Sequence, residues 1–358
     1  MSPSSSDFLT IRHPEPKPLA HPPVYPVFLP FIGCSYRCIY CAQDVQTGVG
    51  NRAIAPGSLR SLLFKELAGS EPVELAFYGG TFTALPQELM LAYLDVAAEL
   101  RQAGLVSRVR CSTRPDCLAP EVLALLARSG MDLVEIGIQS FDNDVLAASG
   151  RGYKADAAVQ GCKAVRASGL ELGIQLLPGL PRMTPAVFAR DVAAAAALAP
   201  SVARLYPLLV LEGTALARRW RAGSYTPWDV DQTVDALADA FLTLWRAGIR
   251  VIRAGLAPES TLDDAFLAGP RHPAMGQRAR SLALFRLLEP ALAAWQGPVR
   301  LDYPRRFQGE LWGHRGELVP AYAALGLIPG ATTPHPEPWE PDCFRLSAVE
   351  APAGKLPD

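Results

Sequence analysis

The chain has 358 residues, of which 49% are hydrophobic and 19% are charged, and its formal net charge is −1. This length and apolar content suffice for one large α/β domain with additions, or for two domains. The balanced charge excludes a global basic field that would attract nucleic acid, although a local basic patch stays open. Seven cysteines, three of them crowded into one loop, favour a reducing compartment with a metal site over a disulfide framework.

Residues 1–24 are rich in Ser, Pro and His and have no continuous apolar segment. We therefore predict an irregular N-terminal segment with neither a secretory signal nor a membrane anchor. No apolar run elsewhere approaches the length that a membrane-spanning helix needs. The sequence thus predicts a cytoplasmic protein with no membrane partner.

From about residue 25 to residue 206, short apolar runs alternate with longer amphipathic runs. The candidate strands are Val27–Ile32, Val73–Tyr78, Val106–Cys111, Leu133–Ile138, Leu172–Leu177 and Ala203–Leu209. The helical patterns between them are Ser58–Ala68, Pro86–Arg101, Pro120–Arg128, Tyr153–Ala167 and Pro185–Leu198. Strand-helix units in series imply a parallel sheet, either open or closed into a barrel. The candidate strands are largely apolar on both faces, as such a sheet requires.

The pattern changes after residue 206, and the chain divides into four predicted parts. The later candidate elements are the helices Ala215–Arg221, Asp229–Ala247 and Gln277–Leu288 and the strands Ile249–Ala254 and Val299–Tyr303. Residues 326–358 are loaded with Pro and charged residues, which predicts an irregular tail. The predicted parts are an N-terminal segment 1–24, a core 25–212, a carboxy-terminal α/β extension 213–325 and a Pro-rich tail 326–358.

Polar and glycine-rich motifs follow the predicted strands of the core. The first strand leads into the cysteine loop Gly33–Cys41, and the next four lead into Tyr78–Thr81, Ser112–Asp116, Gln139–Asp142 and Pro178–Pro181. In a parallel sheet or barrel, the loops at the carboxyl ends of the strands carry the chemistry. We therefore expect these motifs to meet at one rim of the sheet.

Three cysteines, Cys34, Cys38 and Cys41, follow the pattern C-x3-C-x2-C. Thiolates this close together suit a metal or an iron-sulfur cluster far better than a packed core. Zinc is the main alternative, but a structural zinc site needs four ligands. The next cysteines, Cys111 and Cys117, belong to another strand end, and we interpret them as small core residues rather than ligands. Three thiols would hold a 4Fe-4S cluster with one iron open.

This cysteine spacing, with Tyr40 before the last cysteine, resembles the signature of radical S-adenosylmethionine (radical SAM) enzymes. The resemblance implies a partial (β/α)6 TIM-type barrel, with residues 25–212 as its core. It also implies a 4Fe-4S cluster on Cys34, Cys38 and Cys41 and S-adenosylmethionine on the open iron. Reductive cleavage of S-adenosylmethionine would give a deoxyadenosyl radical that abstracts hydrogen from a substrate. This reaction needs a low-potential electron donor of the flavodoxin or ferredoxin type and a dry pocket, which we expect an apolar barrel interior to supply.

The same resemblance implies cofactor contacts near the cysteine loop. Tyr40 would lie near the adenine, and Gly79, Gly80 and Thr81 would pass the methionyl amino group, since glycine permits close backbone approach. Thr81 stands where many relatives carry Glu, so its hydroxyl or backbone carbonyls would make that contact. The alternative for the glycine pair is a tight strand-to-loop turn.

Residues farther along resemble the cofactor-contacting positions of oxygen-independent coproporphyrinogen oxidases. These are Gln139, within Gly137–Phe141, then Arg151 and Gln175. On that resemblance Gln139 and Gln175 would face the ribose, and Arg151 would pair with the methionyl carboxylate through a charge-assisted bond. The alternative for Arg151 is an unpaired arginine in solvent.

Three further residues have two interpretations each. Arg114 either contacts the cofactor or substrate or forms a local salt bridge with Asp116. Arg271 and His272 follow a Gly-Pro pair and either meet the substrate or belong to an ordinary turn.

Several motifs together resemble the radical subunit of elongator, which modifies the wobble uridine of transfer RNA. They are Glu74–Thr83, Ser112–Asp116, Val134–Phe141 and Arg204–Pro207. The resemblance covers about residues 25–290 and implies tRNA as a substrate and partner, with the arginines of 218–221 and 305–306 as candidate phosphate contacts. Elongator's radical subunit continues into an acetyltransferase domain, which we expect this chain to be too short to contain.

Two alternatives to tRNA modification stay open. A tetrapyrrole or other small-molecule substrate is motivated by the offset between Gln139 and Arg151. A non-catalytic iron-sulfur or zinc protein, with the barrel as a binding module or sensor, would bind metal without cleaving S-adenosylmethionine. The sequence predicts no oligomeric state.

Overall fold

The computed structural model describes residues 8–17, 22–46, 48, 53–256, 260–336, 339–340 and 342–349. The chain divides into two compact units. The barrel unit comprises residues 17–233 and 249–273, and the terminal unit comprises residues 1–16, 234–248 and 274–358.

Both units combine strands and helices. Within the described ranges the strands are β1 (Phe8–Arg12), β2 (Val24–Phe28), β3 (Val73–Tyr78), β4 (Val106–Thr113), β5 (Leu133–Gln139), β6 (Glu171–Leu176), β7 (Val202–Leu205), β8 (Val210–Leu211), β9 (Arg250–Ala254), β10 (Phe266–Ala268), β11 (Val299–Pro304), β12 (Thr332–His335) and β13 (Cys343–Ala348). The α-helices of the same ranges are α1 (Gln43–Gln46), α2 (Pro56–Glu66), α3 (Gln87–Gln102), α4 (Pro120–Arg128), α5 (Asn143–Ala148), α6 (Ala155–Ala167), α7 (Pro185–Ala197), α8 (Ala215–Arg221), α9 (Val230–Arg246), α10 (Ser260–Ala265), α11 (Met275–Ala294), α12 (Gln308–Leu311) and α13 (Val319–Ala324). Among these described helices, none is long and apolar enough to cross a membrane.

The barrel unit is built on one parallel sheet in the order β2-β3-β4-β5-β6-β7-β9. Helices connect most of its consecutive strands, which is the arrangement that parallel pairing requires. The sheet confirms the predicted partial TIM-type barrel. It has one strand more than the six expected in the core, because β9 pairs with β7.

Local sequence signals set several element boundaries. Helix α7 begins after Thr184, whose hydroxyl accepts from the amide of Val187, and Pro185 occupies its first turn. Asp142 caps α5 by accepting from the amides of Asp144 and Val145. These side chains satisfy amides that would otherwise lack partners at the helix start.

Two predicted strands end earlier than expected, and proline explains both. The first, predicted at Val27–Ile32, is β2 at Val24–Phe28, because the chain turns at Pro30 and Phe31 has a φ of +59°. The strand predicted at Ala203–Leu209 ends as β7 before Pro207. The chain then enters β8, which pairs with β10 in a separate two-stranded sheet.

The terminal unit contains a four-stranded sheet in the order β1-β13-β11-β12. Strand β13 runs antiparallel to β1 and β11, and β12 runs parallel to β11. Its core packs Phe344 and Leu346 of β13 with Leu284 and Leu288 of α11. Strands at Phe8–Arg12, Thr332–His335 and Cys343–Ala348 correct the expectation of irregular backbone for those residues. In β13, buried apolar residues outweigh the Pro-rich composition around them. The predicted domain boundaries stay a prediction.

Candidate active site

One cavity of about 780 Å³ occupies the interior of the barrel unit. Its wall includes the cysteine loop, at the carboxyl ends of the strands, and Val24, Leu133, Val202 and Arg250 at the opposite end. These four residues are the first of β2, β5, β7 and β9. The cavity therefore runs along the strands for their full length.

Most of the predicted site residues line this cavity. They are Cys34, Cys38, Tyr40, Cys41, Gly79, Gly80, Gln139, Arg151 and Gln175. Thr81 is fully buried behind the wall, and its Oγ1 lies 3.3 Å from the Sγ of Cys34. The structure thus brings the predicted residues to one cavity, while their roles toward a cofactor stay a prediction.

The glycines of the rim allow two loops to touch through their backbones. A Cβ on Gly80, where φ is +56°, would lie 2.2 Å from the carbonyl oxygen of Ile32. A Cβ on Gly33, where φ is +76°, would lie 2.3 Å from the carbonyl oxygen of Thr81. Thr81 also donates its amide to Ile32 at 2.8 Å. Glycine at both positions therefore fixes the start of the cysteine loop against the end of β3.

Gln43, which the sequence analysis missed, ties the same two loops together. Its Oε1 accepts from the amide of Phe31 at 2.6 Å and from the amide of Gly80 at 2.8 Å. The amide of Gly80 is therefore occupied by protein. Nothing local distinguishes Gln43 in the sequence beyond its position two residues after Cys41, because both partners belong to other segments.

Arg151 lies inside the site and not in solvent. Its Nη1 is 3.2 Å from the Sγ of Cys38 and 3.4 Å from the hydroxyl of Tyr40. Its Nε and Nη2 donate to the hydroxyl of Tyr153 at 3.1 and 2.9 Å, and Nη2 also donates to the carbonyl of Gly137. Burial opposes the charge of Arg151, but Tyr40, Tyr153 and Cys38 outweigh it and raise its pKa well above the usual value. A permanent positive charge therefore lies beside the cysteines.

The three cysteines lie close enough to influence one another. Burial, with smaller contributions from Cys38 and Cys34, raises the pKa of the Cys41 thiol to about 12. Within the described ranges, no group of three or more His, Cys, Asp or Glu side chains is placed so that it could hold a metal ion. The loop thus offers the three-thiol donor set that an iron-sulfur cluster uses, without the closed arrangement around a metal.

Gln139 supplies a buried acceptor to the cavity wall. It is 8% exposed, has a φ of +74°, and its Oε1 has no hydrogen-bond partner in the part of the chain that the structure describes. Such a group is costly unless a ligand satisfies it. This orphaned oxygen fits the presence of a hydrogen-bond donor in the cavity, such as an amino or hydroxyl group.

Asp191 of α7 holds the turn that carries Gln139. Its Oδ2 accepts from the hydroxyl of Ser140 at 2.6 Å, and its Oδ1 accepts from the amide of Phe141 at 2.8 Å. Burial raises the pKa of Asp191 to about 6, against the opposing effect of these two hydrogen bonds. Asp191 therefore fixes the backbone next to Gln139, a role that its position in a helix did not suggest.

A charged network fills part of the barrel interior, which corrects the expectation of an apolar one. Glu135 of β5 is 1% exposed. Its carboxylate lies 3.1 Å from Arg110 and 2.6 Å from Arg204, and it accepts from Tyr78 at 3.2 Å and Gln175 at 3.3 Å. The side chain of Gln175 is thus held by the interior network. Its predicted contact with the ribose would have to coexist with its bond to Glu135.

Glu74 of β3 extends this network. It is 1% exposed, pairs with Arg110, and lies 3.4 Å from Arg108. Arg108, Arg110 and Ser112 alternate along β4, so all three face the same side of the sheet. That alternation was the available sequence signal for a polar interior, and the apolar content of the strands obscured it.

The remaining predicted residues are placed as follows. Arg114 forms the local salt bridge, with bonds of 2.9 and 2.8 Å to Asp116, although it also lines the cavity. Arg271 pairs with Asp263, and neither Arg271 nor His272 lines the cavity.

The two other cysteines of interest differ in burial. Cys111 is fully buried, as a core residue would be. Cys117 is only partly buried, and its Sγ lies 3.9 Å from a carboxylate oxygen of Asp116.

Comparison with known proteins identifies the family. Residues 28–192 match the Radical SAM superfamily, and residues 200–282 match the Radical_SAM C-terminal domain. The tRNA uridine(34) acetyltransferase of Methanocaldococcus infernus is 24% identical over 261 residues, which cover 61% of this chain and 49% of the relative. Elongator complex protein 3 of Dictyostelium discoideum is 27% identical over 208 residues, covering 51% of this chain and 37% of the relative.

A solved structure supports the same fold. The archaeal Methanocaldococcus infernus Elp3 with an N-terminal deletion matches with a TM-score of 0.57 and 20% identity, over 75% of this chain and 63% of that one. The chain spans about half or less of the length of these two curated relatives.

These matches confirm the predicted resemblance to radical SAM enzymes and to elongator's radical subunit. Enzymes of this superfamily bind a 4Fe-4S cluster and S-adenosylmethionine and depend on a reductant, as predicted for this chain. The non-catalytic alternative is thereby set aside. The chain belongs to the radical SAM superfamily and is a radical SAM enzyme.

Proposed function

We propose that Cys34, Cys38 and Cys41 ligate the 4Fe-4S cluster, that S-adenosylmethionine binds beside it, and that the enzyme abstracts hydrogen from a substrate. The observation that carries this proposal is the convergence of three thiols, the Arg151 guanidinium and the unpartnered Oε1 of Gln139 on one cavity. When bound, the cluster and S-adenosylmethionine together supply the hydrogen-abstraction chemistry.

Arg151 holds the methionyl carboxylate in this proposal. Its two contacts through Nη1, at 3.2 Å to Cys38 and 3.4 Å to Tyr40, are the longest that its guanidinium makes. A carboxylate at the ~2.8 Å typical of charge-assisted bonds would replace them with a stronger interaction. The bonds from Nε and Nη2 to Tyr153 keep the guanidinium oriented meanwhile.

The other cofactor contacts follow the resemblance and agree with the cavity lining. Gln139 accepts a bond from the cofactor through its free Oε1, with Gln175 near the ribose and Tyr40 near the adenine. Gly79 and Gly80 present backbone atoms to the methionyl amino group. Since the amide of Gly80 is taken by Gln43, the carbonyl oxygens of this turn make that contact, with Thr81 supporting Cys34 from behind.

The proposed substrate is a nucleoside of tRNA, as in the elongator-like relatives. The polar and charged side chains that line the cavity, among them Tyr78, Arg110 and Arg204, support a polar, hydrogen-bonding substrate. A tetrapyrrole or another small molecule is the second candidate, and it rests on the likeness around Gln139 and Arg151.

The proposed compartment is the cytoplasm, with a flavodoxin or ferredoxin as the electron donor. All seven cysteines are free thiols, which is the usual state in a reducing compartment. A low-potential cluster also needs a donor of this kind.

Anaerobic reconstitution with iron and sulfide tests the proposal. The protein should show a 4Fe-4S absorption and paramagnetic resonance spectrum and, with dithionite, should release deoxyadenosine from S-adenosylmethionine. Cys34→Ala, Cys38→Ala and Cys41→Ala should each lose both signals, whereas Cys117→Ser, a partly buried cysteine outside the loop, should keep them. A wild-type protein that yields neither signal would contradict the proposal.

Comparing a deletion strain with its parent then separates the two substrates. Loss of one modified nucleoside from total tRNA supports the first candidate. An accumulated tetrapyrrole with unchanged tRNA nucleosides supports the second.

A further inference from the structure

A second pocket of about 280 Å³ lies in the barrel unit beside the loop that follows β6. Its wall includes Arg182, Arg219, Ser224, Thr226 and Trp228. No described residue of this wall is acidic, although the chain as a whole carries a net charge of −1. The pocket is therefore a local concentration of positive charge, several times larger than the roughly 30 Å³ that one water occupies.

Arg182 occupies a backbone position that favours glycine. The amide of Met183 donates to the carbonyl of Leu180 at 2.9 Å, which closes a four-residue turn with Pro181 second and Arg182 third. Arg182 has a φ of +68°. Turns of this type have proline as the second residue and a positive φ at the third. The third residue is usually glycine, because a Cβ is strained in the left-handed region. Strain of this kind is retained mainly where the side chain has a use.

The loop around Arg182 is otherwise buried and fixed. Gly179, Leu180 and Pro181 are buried, whereas Arg182 is exposed. The hydroxyl of Tyr225 donates to the carbonyl of Gly179 at 2.7 Å, so the loop is bonded to the opposite wall of the pocket. Arg182 therefore projects from a rigid base.

Neither guanidinium pairs with a carboxylate in the part of the chain that the structure describes. Arg219 donates from Nη1 to the carbonyl of Ala148 at 2.8 Å, which positions its side chain without neutralising its charge. Arg182 has no hydrogen-bond or ion-pair partner within the described residues. Ser224 donates its hydroxyl to the carbonyl of Arg219 at 3.0 Å, so the donors left to the pocket are the two guanidiniums and the hydroxyl of Thr226. This set matches the several acceptor oxygens of a phosphate better than the two of a carboxylate.

Only one layer of the protein separates this pocket from the cluster cavity. A Cβ on Gly179 would lie 3.7 Å from the Cβ of Leu208, which lines the cavity, and 3.7 Å from the Cγ of Trp228, which lines the pocket. The pocket is therefore adjacent to the cavity, and a substrate that extends around this layer has both within reach.

We propose that this second pocket binds a phosphate group of the substrate through Arg182 and Arg219. The inference rests on the proposed function, since it assigns part of the substrate of that site. The phosphate belongs either to a nucleic-acid backbone or to a phosphorylated small molecule.

The test measures binding to the full-length, reconstituted wild-type protein and three variants of it. One titration uses inorganic phosphate, compared with chloride at equal ionic strength, and a second uses an unmodified tRNA transcript at several salt concentrations. Both are made on wild type, Arg182→Gly, Arg219→Ala and the control Arg128→Ala. Arg128 is an exposed arginine in the last turn of α4, away from both pockets. Arg182→Gly suits the positive φ, so its melting temperature should not fall below that of wild type.

Wild type and Arg128→Ala should bind inorganic phosphate equally, and Arg182→Gly and Arg219→Ala should each bind it at least tenfold more weakly. If the bound phosphate belongs to a nucleic acid, both pocket variants should also lose affinity for tRNA. In each variant, the slope of the logarithm of the tRNA-binding constant against the logarithm of the salt concentration should fall in magnitude by about 1. If tRNA affinity is unchanged while phosphate affinity falls, the source is a small molecule.

Equal phosphate binding by wild type and both pocket variants, or no binding by wild type, would overturn the inference. Release of deoxyadenosine by wild type is measured in the same preparations. Its absence would contradict the proposed function, whereas its presence together with unchanged phosphate binding would contradict the pocket alone.

Discussion

The rim and the interior of the barrel hold their polar residues by different means. At the rim, short segments such as the cysteine loop and the Gly79–Gly80 turn are joined mainly by backbone bonds and by Gln43. In the interior, single side chains from four strands converge on the carboxylate of Glu135 in a fifth. The rim therefore depends on loop conformation, whereas the interior depends on compensation of buried charge.

Removing the interior carboxylate should give the largest effect. Glu135→Gln leaves Arg110 and Arg204 buried beside a neutral side chain, which should lower the free energy of unfolding by about 3–5 kcal/mol. Glu171→Gln is the matched control, because the Glu171 side chain is 43% exposed in its pair with Arg108, and should cost ~0.2–1 kcal/mol. Urea unfolding of wild type and both variants measures these free energies. Equal losses of unfolding free energy in the two variants would show that charge pairing does not hold the interior network.

A smaller effect is expected from Asp191, through pH. The folded pKa of Asp191 is raised from 3.8 to about 6, so the folded state binds a proton that the unfolded state releases. The contribution of this bound proton to the free energy of unfolding is fully present below pH 3.8 and is lost as the pH rises through 6. The total loss is about 3 kcal/mol.

The difference in unfolding free energy between wild type and Asp191→Asn isolates this contribution, because the other carboxylates cancel. Between pH 3.5 and 7.5, the Asp191→Asn variant should become more stable relative to wild type as the pH rises. A difference that is independent of pH would exclude the titration of Asp191 in this range.

Gln43 should give the smallest of these effects on stability. Gln43→Met keeps the volume but leaves the amides of Phe31 and Gly80 without their acceptor, which should cost about 1–3 kcal/mol. The reconstituted variant should also retain less iron, since the cysteine loop loses its tie to β3. Gln102→Met, at an exposed position at the end of α3, should stay within ~0.5 kcal/mol of wild type. Full iron retention in Gln43→Met would mean that the glycine contacts alone position the loop.

The rim was largely predictable because its signals are local. The spacing of Cys34, Cys38 and Cys41, and the positions of Gln139 and Arg151 after the fourth strand, are readable along the chain. Parallel pairing then brings strand ends to one edge whatever the details of register. The glycines were also recognised, although the structure shows them serving close backbone contact between two loops.

The interior was not predictable in the same way, because it depends on register between distant strands. Glu135 lies opposite Ser112 on one side and Gly173 on the other. A Cβ on Gly173 would lie 2.8 Å from the Cγ of Glu135, so the space for this carboxylate depends on a glycine 38 positions away. A hydrophobic pattern does not encode such a pairing. The same holds for β12 and β13, whose partners in the terminal unit lie far along the chain.

The seven-stranded sheet has two ends, and this bears on how a large molecule reaches the cavity. Within the described residues β2 and β9 each have a strand on one side only, and Pro26, Phe28 and Ile252 of these two strands line the cavity. A closed ring would admit only what can thread through its mouth, whereas in this sheet no strand pairing joins β2 to β9 within the described residues. Pro26 also lacks an amide hydrogen, which discourages another strand from sealing that side. For the proposed tRNA substrate, size selection at such an unpaired side would apply to the nucleoside in the cavity and not to the whole tRNA.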